Sequence, residues 1–134
     1  MNQELREGVV QKIPIKSFND LEVWKEGHKL VIQTYKVTKT FPKEELFGLT
    51  NQIRRASVSI TSNIAEGFSR GSFKEKVRFY CIALGSLTET QNQLIIARDI
   101  GYLPLEDFDK IYSQTILVNK LCNGLIKKSK TFFS

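Results

Sequence analysis

Three short breaks decide what this chain can become. The segments "FPKEE" at Pro42, "SRGS" at Gly71 and "GYLP" from Gly101 to Pro104 divide residues 18 to 130 into four long stretches. Within each stretch the apolar residues recur at steps of three or four, the period of an amphipathic helix. Connections this short leave consecutive helices antiparallel. The pattern therefore predicts an all-α fold, an antiparallel up-down-up-down four-helix bundle. A chain of 134 residues buries one core and not two, so residues 18 to 130 are read as a single bundle domain. Residues 1 to 17 hold Gly8 and Pro14 and show no sustained period; they are expected to form a flexible N-terminal arm.

The first stretch places Leu21, Trp24, His28, Val31 and Tyr35 on one face. Asn19 or Asp20 supplies its N-cap, and Pro42 stops it near Phe41. The second contains "RRASVSITSNIAEGF", where alternation from Ala56 to Ile60 suggests a strand. A helical stripe of Ile53, Ser57, Ile60, Ile64 and Gly67 explains a longer window, and we read it as a helix. Successive 100° steps put Arg55, Ser59, Ser62 and Glu66 opposite that stripe, with Arg54, Val58 and Ala65 on a flank. The third begins with a capping box, Ser72 at the N-cap and Glu75 three residues later. It carries Val77, Tyr80, Leu84, Leu87, Leu94 and Ile95 inward, with Ile82, Gly85 and Ile96 around Glu89 on its back. Gly101 closes it. The fourth shows Phe108, Ile111, Thr115, Val118, Cys122 and Leu125 as its inner stripe.

The backs of the two middle helices are too small or too apolar for a bare surface, where Lys and Glu normally dominate. Identical copies of the chain are expected to cover them. The residues assigned to this contact, or to ion pairs within it, are Arg54, Arg55, Val58, Ala65, Glu66, Ile82, Gly85, Glu89 and Ile96. Arg54 and Arg55 point about 100° apart, so one is expected to meet Glu66 or Glu89 of a neighbouring helix or subunit while the other faces solvent or a phosphate.

The excess of 20 Lys+Arg over 14 Asp+Glu gives a net charge of +6, which favours encounter with polyanions. Two groups of cations suit phosphate contact: Arg70, Lys74, Lys76 and Arg78 at the start of the third helix, and Lys120, Lys127, Lys128 and Lys130 in the fourth. No acidic residue follows Lys110. No secretory signal or membrane-spanning run is evident, so a cytoplasmic protein without membrane contact is expected. Cys81 and Cys122 are isolated thiols and His28 is the one histidine, so neither a metal site nor another cofactor is expected. His28, Gln91 and Asn63 make a conceivable polar centre. A hydrogen-bonded network that fixes helix register accounts for them better than catalysis, which needs a second titratable group.

"FNDLEVW", "FPKEELFGLTNQIRRASVSITSNIAEGFSRGS" and "RFYCIALGSLTETQNQL", followed by "GYL", resemble the four-helix-bundle family of proteins encoded in intervening sequences of bacterial 23S rRNA, also labelled S23 ribosomal proteins. The likeness spans roughly residues 16 to 125, with "QIRR", "SNIAEG" and "GSL" in order. It implies a cytoplasmic bundle that assembles as a homopentameric ring. A related branch includes the accessory protein of diversity-generating retroelements, which binds nucleic acid and a reverse transcriptase through a basic surface; a nucleic-acid-processing protein is thus an implied partner. Thr61 stands where many members have Pro, and Gln91 and Asn92 stand where Glu and Thr are common. Together, residues and resemblance lead to a non-enzymatic homo-oligomer that binds RNA or DNA without sequence preference. The rival reading is a protein-interaction scaffold whose charge only maintains solubility.

Overall fold

A computed structural model describes residues 14–133, with four helices and no strand among them. They are α1 (Glu22–Thr38), α2 (Leu49–Ser69), α3 (Phe73–Asp99) and α4 (Leu105–Phe133). Each helix packs on the next and α4 closes on α1, so the four stand at the corners of a square in up-down-up-down order. Most of the expected arm, residues 1 to 13, lies outside the described residues. Pro14 to Ser17 run exposed into a 3-10 turn at Phe18–Asp20.

Local chemistry sets the helix ends. Asp20 does not cap α1. Its carboxylate accepts the amides of Lys16 at 2.9 Å and Ser17 at 3.1 Å, which holds the turn before the helix, and Leu21 takes the N-cap position. These two amides draw the Asp20 pKa below the usual carboxylate value. α1 ends at Thr38, three residues short of Phe41, whose ring is buried against Tyr102 at 5.5 Å. At α3, Ser72 Oγ accepts the Glu75 amide at 3.1 Å, one half of the expected box. Gly101 has φ +89°, the left-handed conformation that terminates helices.

The core runs through all four helices, with Leu30, Ile53, Ile60, Ile64, Leu87, Leu94, Ile111 and Val118 fully or almost fully excluded from water. The α2 stripe is buried as expected. On α1 the expected face is turned aside: the buried side chains are Val23, Leu30, Thr34 and Thr38 with Gly27, while His28 and Tyr35 are exposed and Trp24 and Val31 half-buried. The threonine hydroxyls donate to carbonyls one turn back, Thr34 to Leu30 at 2.8 Å and Thr38 to Thr34 at 2.7 Å. With the hydroxyls satisfied, both methyls pack as apolar groups.

Close approach governs the α2 contacts. A Cβ on Gly27 would lie 3.1 Å from Thr61 Cγ2, so α1 meets α2 at a glycine and a methyl. On the other side Ser59 Oγ and Ser86 Oγ are 2.8 Å apart. Ser59, expected to point outward, therefore faces α3.

Candidate nucleic-acid interface

Alternating helix directions bring the start of α1, the end of α2, the start of α3 and the end of α4 to one end of the bundle. The two cation groups, separate in sequence, meet there. Lys76 of α3 and Lys128 of α4 line the same 280 Å³ cavity, and Lys128 and Lys120 line an adjoining depression of 410 Å³. Lys74, Arg78, Lys120, Lys127, Lys128 and Lys130 are all exposed. Lys74 and Arg78, four residues apart, share the outer flank of α3, and Lys127 follows Lys120 by two turns on α4.

Two of the eight cations are held within the fold. The Arg70 guanidinium bonds Glu66 at 2.6 Å and stacks 4.6 Å from the Phe79 ring centre. The Lys76 ammonium donates to the Phe68 carbonyl at 2.6 Å and stands 5.2 Å from the Phe68 ring centre. Desolvation lowers its pKa, since burial disfavours the charged amine. The opposite end of the bundle carries Glu44 and Glu45 between α1 and α2 and Glu106, Asp107 and Asp109 at the start of α4.

Sequence reasoning paired Arg54 or Arg55 with a carboxylate. Instead Arg54 Nε donates to Thr38 Oγ1 at 2.8 Å, and its guanidinium lies 4.7 Å from the Tyr35 ring centre. α1 supplies both partners because Arg54 lies on the α1-facing flank of α2. Arg55 is exposed, and Glu66 pairs with Arg70 inside the same chain. Val58, Ile82 and Ile96 stand 37%, 44% and 41% exposed; Gly85 and Glu89 are exposed and Ala65 is half-buried.

The polar centre of His28, Gln91 and Asn63 does not assemble. His28 stacks on Trp24, ring centres 4.8 Å apart, at the surface. Gln91 donates to Thr115 across α3 and α4 at 3.0 Å, and Asn63 to the Ser59 carbonyl at 2.8 Å, each a helix-fixing bond. Among the described residues no group of three or more His, Cys, Asp or Glu is placed to hold a metal ion, and no helix is long and apolar enough to cross a membrane. The Cys122 thiol is buried and donates to the Tyr80 carbonyl at 3.6 Å, while Cys81 is exposed.

Several exposed apolar residues escaped sequence reasoning: Ile32, Leu46, Phe47, Ile116 and Leu117, with Phe47 90% exposed. For Phe47 the signal was its place between Glu44–Glu45 and Gly48, in a connection too short to fold back over it.

The model of the 23S rRNA-intervening sequence protein family matches residues 19–124. The chain belongs to that family. A crystal structure at 1.70 Å of a protein of unknown function from the S23 ribosomal protein family of Bacteroides thetaiotaomicron VPI-5482 is similar in fold, with a TM-score of 0.73 and 24% identity. The similarity covers 78% of this chain and 98% of that one. No curated protein matches the chain. In this member of the family Thr61 continues α2 unbroken, its hydroxyl bonded to the Val58 carbonyl at 3.0 Å and its methyl against Gly27. Gln91 makes a neutral bond to Thr115 between α3 and α4.

Proposed function

We propose that the protein is a non-enzymatic homo-oligomer, a pentameric ring, that presents the Lys-rich end of each bundle to RNA or DNA and binds it without sequence preference. The observation that carries this reading is the meeting of exposed α3 and α4 cations, Lys74, Arg78, Lys127, Lys128 and Lys130, at one end of the bundle. Phosphate contact of this kind positions a polyanion without reading bases. A ring repeats the patch in every subunit, so weak contacts multiply.

Assembly is supported by apolar side chains exposed on two different sides. One carries Ile32 and Tyr35 of α1 beside Val58 of α2; the other carries Ile82 and Ile96 of α3. A closed ring uses two unlike patches on each subunit, joined head to tail. Mass in solution tests this part: a monomer at micromolar concentration refutes it.

A gel-shift titration of single- and double-stranded RNA and DNA at about 50 and 200 mM salt tests the binding. If some six phosphates are neutralised per complex, affinity falls about a thousandfold between the two. Lys120→Gln/Lys127→Gln/Lys128→Gln should flatten that slope. Absence of binding at the lower salt refutes the reading. The scaffold alternative is favoured by one observation, the bare Phe47 beside Leu46; a protein partner retained after nuclease treatment and lost in Phe47→Ser would establish it.

A further inference from the structure

The cavity between α2, α3 and α4 has walls unlike those of a phosphate site. Leu21, Phe68, Tyr80 and Leu125 make its surface predominantly apolar, and Ser129 adds a hydroxyl. Its 280 Å³ falls just below the range of roughly 300–1,000 Å³ for small-molecule sites. The adjoining 410 Å³ depression shares Leu21, Leu125 and Lys128 with it, so the apolar surface continues past the first chamber as a groove. Two lysines, Lys76 and Lys128, line this surface. Lys76 gives one of its three N–H donors to the Phe68 carbonyl, which fixes the nitrogen against the wall and leaves the others free for an acceptor. Lys128 is exposed on the facing helix. A nucleobase presents several donors and acceptors along its edge, which these walls would leave unmatched; a hydrocarbon chain presents none.

From that charge and shape we propose that the cavity binds a free medium-chain fatty carboxylate, its chain against Leu21, Phe68, Tyr80 and Leu125 and its carboxylate between Lys76 and Lys128. The proposal does not depend on nucleic-acid binding. A carboxylate here replaces water around two like charges, and a charge-assisted bond to an ammonium is stronger than a neutral one. The chain supplies most of the affinity by leaving water.

Equilibrium dialysis of the full chain with octanoate, decanoate and decanol, all below micelle formation, tests it. Decanoate should bind roughly tenfold tighter than octanoate, as two more buried methylenes require. Decanol should bind at least about fivefold weaker than decanoate, the share of an ion-paired head group. Lys128→Gln should weaken decanoate toward the level of decanol while leaving decanol unchanged. Leu125→Trp, which fills the chamber, should abolish binding of both. Since Leu125 is partly in the core, the exposed Lys128 variant keeps the test decisive should Leu125→Trp fail to fold. Equal affinity for decanol and decanoate, an affinity independent of chain length, or no binding of either refutes the proposal. So does binding that appears only after residues 1–13 are removed, which would assign the groove to the chain's own N-terminal segment. Gel shifts of RNA with Leu125→Trp separate the two readings, because the cations stay in place while the chamber is lost.

Discussion

Gly67 offers the sharpest test of the packing, because the same substitution has opposite signs at two positions. A Cβ on Gly67 would lie 2.7 Å from Tyr80 Cε1, 2.9 Å from Cδ1 and 3.0 Å from Phe79 Cβ. Tyr80 is 1% exposed, so a retreat of its ring must be taken up by packed neighbours or by the 280 Å³ cavity that it lines. Overpacking of this kind costs about 1–3 kcal/mol. Replacing glycine inside a helix by alanine gains about 0.5–1 kcal/mol from the reduced entropy of the unfolded chain. At Gly124 in α4 a Cβ meets nothing within 4 Å, and only the gain applies. The helix term is common to both, so Gly67→Ala should lie about 1–3 kcal/mol below Gly124→Ala. For a domain of this size that is roughly 4–12 °C in melting temperature. Far-UV circular dichroism melts at one fixed protein concentration provide the comparison, since any self-association would make the midpoint concentration-dependent. In the double variant Gly67→Ala/Tyr80→Leu the clash should largely disappear, giving a favourable coupling of about 1 kcal/mol or more. If Gly67→Ala melts as high as Gly124→Ala, the contact between the end of α2 and the Tyr80 ring is not rigid and the reasoning fails.

Alkaline stability follows from two buried acids. Burial holds the Cys122 thiol protonated to about 12 against an ordinary 9.0, and the Tyr80 phenol to about 12 against 10.0. Between pH 9 and 12 the unfolded chain thus binds fewer protons than the folded one. Their contribution is complete below pH 9 and is lost as pH rises through 12. Lys76, with its lowered pKa, works the other way and softens the decline. Urea midpoints from pH 8 to 11 should fall, and Tyr80→Phe should fall less steeply above pH 10; a flat profile contradicts the burial. Arg54→Lys should cost about 1 kcal/mol through loss of the Nε donation to Thr38 and the stack on Tyr35, whereas Arg55→Lys should stay within about 0.5 kcal/mol. Equal urea midpoints for the two would overturn the assignment of Arg54 to α1.

The sequence made α2 and α4 legible because apolar residues recur at helical spacing along their inner faces, in α2 over a longer window than the competing alternation from Ala56 to Ile60: Ile53, Ile60 and Ile64 on one, Ile111, Val118 and Cys122 on the other. It misled on α1, where two stripes compete. Trp24 and Tyr35 offer far more apolar area than Thr34 and Thr38. Yet threonines whose hydroxyls bond within the helix cost little to bury, and Gly27 lets α2 come close on that side. The partner of Arg54 was hidden for another reason, since Thr38 lies sixteen residues away and becomes a neighbour only once α1 and α2 pack with Gly27 against Thr61. The gathering of the basic residues needed only the order and direction of four helices. Their division into held and free cations needed side-chain geometry: nothing in "SRGSFKEKVRF" reveals that Arg70 and Lys76 are held by Glu66, Phe79 and Phe68 while Lys74 and Arg78 remain free.

The origin of the positive potential at that end also follows from topology. Helix N-termini carry about half a positive charge and C-termini about half a negative one. At the basic end two of each meet, from α1 and α3 on one hand and α2 and α4 on the other, so the backbone contributions largely cancel. The field there comes from side chains, above all Lys74, Arg78, Lys120, Lys127, Lys128 and Lys130. At the far end Glu44, Glu45, Asp99, Glu106, Asp107 and Asp109 are interspersed with Lys36, Lys39, Lys43, Arg98 and Lys110, so the two signs nearly balance there. Each bundle is therefore charged unequally along its axis, and a polyanion approaching within a Debye length of about 8–10 Å at physiological salt meets stronger attraction at the basic end than at the other. If the proposed ring had parallel bundle axes, it would gather the cations on one rim, where substitution would remove them without touching the core.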